Sequence, residues 1–140
     1  MTDDLDVTDV PVGEWADRAC ALRDEGYAVF DSLVAWPTSG GLGLRLHVRR
    51  RDGGLCGIRT HVPDGAAIAS LTTLFPGAAW PEREAAELLG LAVAGFDDGT
   101  GLGVRPLLVH APEGAGMPLR PDFPLTARTE TPWPGREPRR

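Results

Sequence analysis

The chain has 140 residues, of which 42% are hydrophobic, and its 14 basic and 20 acidic side chains give a net charge of −6. This length and composition predict one globular domain with its own apolar core. The acidic balance argues against nucleic acid as a partner, and no apolar run approaches the roughly 20 residues of a membrane-spanning helix. The acidic start, MTDDLDVTD, is unlike a secretory or transit peptide, so we expect a cytoplasmic protein without direct membrane insertion.

The first predicted elements are an acidic tail, a helix and a strand. We expect residues 1–11 to form a mobile tail, because they are mostly acidic and polar. Apolar residues then recur at helical spacing from Trp15 to Leu22, and Gly26 can end this helix. Residues 27–36 are rich in strand-forming side chains, which predicts a largely buried strand.

A β-hairpin is predicted on either side of the sequence Asp52-Gly53-Gly54. Every second residue on both sides faces the core in this prediction, namely Leu42, Leu44, Leu46, Val48, Cys56, Ile58, Thr60 and Val62. Both sets share one face only if the loop has an odd number of residues, because a slip of one residue reverses a strand's faces. We predict a three-residue loop with Gly54 left-handed and Val48 opposite Ile58.

The other face of this hairpin carries basic side chains. The predicted register places His47 beside Arg59 and Arg45 beside His61. Such a face can dock an acidic partner, or it can be the ordinary solvent face of a half-covered antiparallel sheet. It lacks exposed aromatic residues for base stacking, which argues against a nucleic-acid groove.

A second helix is predicted to begin at Pro81, a residue that suits the first helical position. Glu82 and Glu84 place negative charge in its first turn, where the helix dipole favours it, and Gly90 can end it. The run Glu82-Arg83-Glu84 is either a solvated helix start or a set of charges presented to a partner.

No side-chain pattern in the sequence marks an active site. Cys20 and Cys56 are far apart and too few for an iron–sulfur cluster or a structural zinc site, and we interpret both as small core residues. The three histidines show no metal-ligand spacing. We therefore predict no catalytic residue, no metal site and no cofactor.

The end of the chain is predicted to be extended. Residues 91–94 form a candidate short strand, and Pro and Gly are too frequent from Ala111 onward for regular structure. The predicted organisation is an acidic tail over residues 1–11, one domain over residues 12–117 and a Pro-rich arm over residues 118–140. The predicted fold class is α/β, with a mixed, mainly antiparallel sheet and two to three short helices.

Two landmarks in the sequence resemble the signature of a known family. They consist of Phe75-Pro76-Gly77, Trp80, Glu82-Arg83-Glu84 and Gly90 in the first, and of Pro118-Leu119-Arg120 and Asp122-Phe123-Pro124-Leu125 in the second. Together they resemble the 30-kDa, or C, subunit of respiratory complex I, and the related subunit of energy-converting hydrogenases and formate hydrogenlyases. The resemblance covers roughly Gly26 to Leu125. The chain departs from the family at Ala86-Glu87, where an aromatic residue and aspartate are usual, and at Pro121, where lysine is usual.

The resemblance implies a structural accessory subunit of an NADH–quinone oxidoreductase-like complex, with no active site and no cofactor of its own. Such a subunit is peripheral, on the cytoplasmic side of the membrane, and contacts the large quinone-site or hydrogenase-like subunit and small cluster-bearing subunits. One alternative is the equivalent subunit of a nickel–iron energy-converting hydrogenase or formate hydrogenlyase. A second alternative is a free-standing soluble binding module that reuses the fold.

On this interpretation, several charged and aromatic residues form a partner interface. They are Glu82, Arg83, Glu84, Arg120, Asp122, Phe123 and Trp133. We expect Phe123 and Trp133 to pack on a neighbouring subunit, with Arg120 and Asp122 in intersubunit ion pairs. The alternative is that residues 118–125 fold back over their own sheet.

Overall fold

The structure, a computed structural model, describes residues 6–125. Their strands and helices are β1 (Asp6–Asp9), α1 (Trp15–Asp24), β2 (Val29–Thr38), β3 (Gly41–Arg49), β4 (Leu55–Pro63), β5 (Ala67–Ala69), α2 (Ala79–Leu89) and β6 (Ala92–Ala94). The predicted fold class is confirmed, because a mixed, mainly antiparallel sheet is combined with two helices. Neither helix within residues 6–125 has the length and apolar character to cross a bilayer.

The main sheet has the strand order β1-β4-β3-β2, and a second, two-stranded sheet pairs β5 with β6 in parallel. Strands β2, β3 and β4 are antiparallel neighbours, whereas β1 pairs with β4 in parallel. The prediction of a mobile tail is wrong for Asp6–Asp9, which form this edge strand. Their acidic sequence lacks the apolar alternation that predicts a strand, and the pairing depends on a partner about 50 residues away, with Asp6 opposite Cys56.

The β3–β4 hairpin keeps the predicted odd-numbered loop but has a different register. Val48 lies opposite Cys56 instead of Ile58, and the three-residue loop begins one residue earlier than predicted. The left-handed glycine at the turn is Gly53 (φ 103°), not Gly54. The inward-facing residues are unchanged, because a shift of two residues in the pairing preserves each face.

The same shift changes the pairs on the outer face of the hairpin. The predicted pairs His47–Arg59 and Arg45–His61 are not formed. Instead, Arg45 lies opposite Arg59, and His47 lies opposite Gly57.

The apolar core lies between one face of the main sheet and the helices. Trp15 and Leu22 of α1 are buried there as predicted, together with Phe75 from the segment before α2. Both cysteines are free thiols: Cys56 is buried and Cys20 is half-buried. Burial raises the pKa of the Cys56 thiol.

Helix α2 begins at Ala79, earlier than the predicted start at Pro81, because a 3₁₀ turn over Pro76–Ala78 leads directly into it. It ends as predicted at Gly90, which is left-handed (φ 76°). The short strand predicted after Gly90 is confirmed as β6.

Candidate functional site

The two sequence landmarks meet at the end of α2. The backbone N–H of Leu119 donates to the carbonyl of Leu88 (3.0 Å), and Nε of Arg120 donates to the carbonyl of Leu89 (2.7 Å). The last four carbonyls of an α-helix have no partner within the helix. The second landmark therefore caps the helix that carries the first.

The guanidinium of Arg120 has a further partner within the chain. Its Nη1 lies 3.1 Å from the carboxylate of Asp64, just after β4. With its bond to the carbonyl of Leu89, Arg120 ties α2 to the main sheet. Residues 118–120 thus fold back on their own domain, on α2 instead of the sheet. Arg120 forms an ion pair within the chain, and the intersubunit ion pair expected from the sequence stays a prediction.

Glu82 lies inside the protein, not at its surface. Its side chain is buried, with 2% of the residue exposed. Its carboxylate accepts the backbone N–H of Leu71 (2.7 Å) and the hydroxyl of Ser70 (2.6 Å). Burial raises the pKa of Glu82, while these two hydrogen bonds act in the opposite direction. This carboxylate links α2 to the segment that follows β5.

Arg83 is also occupied within the chain. Its Nε donates to the carbonyl of Arg105 (3.0 Å), and its Nη2 donates to the carbonyl of Pro106 (2.7 Å). The guanidinium fork thereby holds the irregular segment after β6 against α2.

Glu87, one turn after Arg83 on α2, binds the next part of the same irregular segment. Its carboxylate accepts four consecutive backbone N–H groups, those of Leu107 (2.9 Å), Leu108 (2.6 Å), Val109 (2.9 Å) and His110 (2.6 Å). These bonds, with that of Leu108 the strongest, lower the pKa of Glu87 to about 2. Glu87 was not among the site residues predicted from the sequence, although it stands where the 30-kDa subunit family usually has aspartate.

Glu84 is the exposed one among the three charged residues of its landmark, whereas Glu82 is buried and Arg83 is half-buried. It lines an open groove of about 220 Å³ between α2 and β2. The groove walls include Val34 of β2, Leu88 of α2 and Leu119 of the second landmark. Tertiary structure therefore brings an exposed carboxylate of one landmark beside an apolar side chain of the other.

The remaining predicted interface residues lie on the arm. Asp122 is exposed, and Phe123 is half-buried with its ring close to Gly116. Leu125 is 92% exposed. Trp133 lies outside the residues that the structure describes.

The comparison with protein families identifies the group to which these landmarks belong. The model of the respiratory-chain NADH dehydrogenase 30 kDa subunit matches residues 8–129. The chain belongs to this family. The match includes both landmarks, the main sheet except the first residues of β1, and α2.

Individual relatives match a shorter region. The C subunit of the NADH-quinone oxidoreductase of Rhodopseudomonas palustris (strain TIE-1) is 38% identical over 73 residues, which cover 52% of this chain and 33% of that protein. Its counterpart from Bartonella quintana (strain Toulouse) is 34% identical over 73 residues, again 52% of this chain and 33% of that protein. The match thus spans about one third of the length of these curated relatives.

Solved structures share the fold. A trypsin-resistant fragment (1-134) of Nqo5 superposes with a TM-score of 0.59 at 18% identity, covering 66% of this chain and 80% of the fragment. A chain of the membrane-bound sulfane sulfur reductase, an archaeal respiratory membrane complex, superposes with a TM-score of 0.58 at 19% identity, covering 69% of this chain and 61% of that chain.

Glu82→Gln is predicted to stabilise the protein at alkaline pH. Because burial raises the pKa of Glu82, protonation stabilises the fold below the ordinary pKa of 4.5, and this contribution is lost as the pH rises through the folded-state pKa. Glutamine keeps an acceptor for the N–H of Leu71 without a buried charge. We expect free energies of unfolding similar to wild type near pH 4 and higher than wild type near pH 8, measured by urea denaturation.

Glu82→Ala is the contrasting variant. It leaves the N–H of Leu71 without an acceptor, so we expect it to lose about 1–3 kcal/mol at both pH values. If Glu82→Gln lost as much as Glu82→Ala near pH 8, the ionised carboxylate would be the stabilising form and the argument from burial would be wrong.

Glu87→Gln is predicted to loosen residues 107–110 while leaving the rest of the fold intact. Since the pKa of Glu87 is lowered to about 2, its contacts stabilise the wild type above the ordinary pKa of 4.5 and are lost as the pH falls toward about 2. At neutral pH we expect faster amide hydrogen exchange at residues 107–110, measured by mass spectrometry. Glu84→Gln, on the same helix but exposed, is the matched control and should leave this exchange unchanged. Equal exchange in wild type and Glu87→Gln would mean that other contacts hold the segment.

Proposed function

We propose that this chain is a structural, non-catalytic subunit of a membrane-associated complex of the NADH–quinone oxidoreductase type. In this proposal it lies on the cytoplasmic side and contacts the large quinone-site subunit and small cluster-bearing subunits. The observation that carries the proposal is the family match over residues 8–129, which includes both landmarks. The named relatives are C subunits of NADH-quinone oxidoreductases.

The contacts of α2 divide the charged residues of the landmarks into those with partners inside the chain and those that remain exposed. Glu82, Arg83 and Arg120 have hydrogen-bond partners within the chain, so we assign them to shaping the surface. A charge with an intramolecular partner has less to gain from a second partner, because the new contact must displace the old one.

The proposed contacts with partner subunits are therefore the groups that remain exposed around this scaffold. Glu84 lies in the groove between α2 and β2, with apolar walls beside it. Asp122 and the half-buried ring of Phe123 lie on the arm just beyond the cap of α2. Trp133 is included as a further anchor of the arm on the basis of the sequence, because aromatic residues are common anchors in interfaces.

Purification of the tagged full chain from membranes of its own host tests the proposal. We expect it to bring down, in fixed proportion, subunits of a quinone oxidoreductase. A large subunit with nickel-binding cysteines among the partners would instead indicate a hydrogenase-type complex. Recovery of the chain alone, from the soluble fraction, would indicate a free-standing module.

Glu84→Ala is predicted to weaken assembly much more than folding. An exposed first-turn carboxylate contributes only roughly 0.3–1 kcal/mol to a helix through the dipole. Loss of one partner of a desolvated intersubunit charge pair costs about 2–5 kcal/mol. We therefore expect a large loss of co-purified subunits with little change in the melting temperature of the isolated chain.

Glu14→Ala provides the matched control, because Glu14 is an exposed glutamate at the start of the other helix. A marked drop in melting temperature with intact assembly would show that Glu84 is structural. A chain that ends after Leu125 tests the role of Trp133 in the same co-purification assay. If this shortened chain recovers as many partner subunits as the full chain, Trp133 is not part of the interface.

A further inference from the structure

The face of the main sheet that points away from the core carries a second candidate contact surface. We define this outer face by Val34, Trp36, Arg45, His47, Arg59 and His61. The alternate residues of β3, such as Leu44 and Leu46, are buried on the opposite face. The outer face is open to solvent, since Val34 is 46% exposed and the side chain of Arg59 is 48% exposed.

Two glycines make the outer face flat. The indole of Trp36 lies over Gly43, where a Cβ atom would clash with the ring. The imidazole of His47 lies over Gly57 in the same way, with its Cδ2 only 2.8 Å from a Cβ placed there. Both rings therefore lie along the sheet instead of standing out from it. A flat surface with recumbent aromatic rings suits close contact with another protein.

Most arginines of this region have a carboxylate partner. Arg59 forms two hydrogen bonds with Asp9, of 2.6 Å and 2.8 Å. Arg49 pairs with Asp31 on the neighbouring strand. These pairs neutralise two of the three cations that the sheet presents at its outer surface.

Arg45 differs from its neighbours. Within residues 6–125 it forms no ion pair, and its Nε is buried without a hydrogen-bond partner. Its guanidinium carbon lies 5.9 Å from the centroid of the Trp36 ring, and across the strands it faces another cation, Arg59. The guanidinium of Arg45 therefore has an aromatic neighbour but no carboxylate partner within residues 6–125, and it is suited to a carboxylate from outside.

We propose that the outer face docks an acidic segment of a partner protein, which places a carboxylate at Arg45 and an apolar side chain against Val34 and Trp36. This inference rests on the proposed function, to which it adds a second contact surface on another side of the domain. Charge complementarity carries it: Arg45 is an unneutralised cation flanked by apolar surface, in a chain with a net charge of −6. The negative net charge of the chain repels extended polyanions such as anionic bilayers and nucleic acids. A short acidic segment of a protein is affected mainly by the charges near its binding site, because salt screens the more distant ones.

The central test is Arg45→Glu in the tagged full chain. We expect recovery of partner subunits to fall by roughly tenfold or more. The isolated chain should keep a melting temperature close to that of the wild type, because the new carboxylate faces Arg59 across the strands and this offsets the lost contact with the Trp36 ring. Arg45→Lys, which keeps the charge, should retain most of the recovery. Arg23→Glu, at an exposed position of α1, makes the same change of charge away from the outer face and should leave the recovery of partner subunits unchanged. A lowered melting temperature with undiminished recovery would show that Arg45 only stabilises the sheet, and would overturn the proposal.

Site-specific crosslinking identifies the occupant. A photoreactive benzoylphenylalanine in place of His61 reports on the outer face, and the same group in place of Glu84 reports on the groove. We expect the His61 probe to capture a peptide of another subunit that contains Asp or Glu. Capture of a non-acidic peptide, a second copy of this chain or its own residues 126–140 would overturn the proposal, as would Arg45-dependent binding of the isolated chain to phosphatidylglycerol vesicles. Capture by the Glu84 probe alone would overturn only this inference, whereas failure to recover any subunit would overturn the proposed function as well.

Discussion

The segment from residue 95 to residue 125 takes several of its hydrogen-bond partners from α2. It has no helix or strand in the structure, and backbone groups outside regular elements need side chains, water or other backbone as partners. Helix α2 provides them in sequence order. Arg83 donates hydrogen bonds to two backbone carbonyls, and Glu87 accepts them from four backbone N–H groups. The carbonyls of Leu88 and Leu89 accept hydrogen bonds from Leu119 and Arg120 of the arm. One short helix thereby holds residues 105–110 and 119–120 of this segment in place.

This arrangement explains why charged residues are dense on so short a helix. A solvated helix start would place all of its charges outward, but Glu82 points into the protein and accepts the N–H of Leu71. Arg83 and Glu87 lie half-buried under the irregular segment. Of the charged residues in the first landmark, Glu84 is the exposed one. Most of the signature thus builds the domain, and a smaller part of it is available to other subunits.

The groove and the outer face have different charges, although they belong to one small domain. The groove between α2 and β2 carries Glu84, whereas the outer face of the sheet carries Arg45. Strand β2 contributes Val34 to both surfaces. A domain with an acidic surface and a basic surface next to each other can distinguish two partners by charge, because like charges disfavour the wrong pairing.

Local pattern was sufficient for several parts of the fold. The alternation from Leu42 to Val48 predicts a strand and its buried face, since side chains alternate with a period of two. Gly90 predicts the end of α2, because the left-handed conformation is accessible to glycine at little cost. The two landmarks together were sufficient for the family. Each of these properties depends on residues that are close in sequence.

The sequence by itself therefore determined the main elements, the faces of the hairpin and the family. Only the tertiary structure decided the hairpin register, the edge strand Asp6–Asp9 and the positions of Glu82 and Glu87. The register was open because a shift of two residues keeps the same faces buried, so hydrophobic pattern cannot distinguish the two pairings. Whether a carboxylate is buried depends on donors that distant segments bring to it, and those donors are backbone N–H groups, which every residue except proline carries. Sequence contains no local signal for such partners, so the fold alone separates Glu82 and Glu87, which have partners inside the domain, from the exposed Glu84.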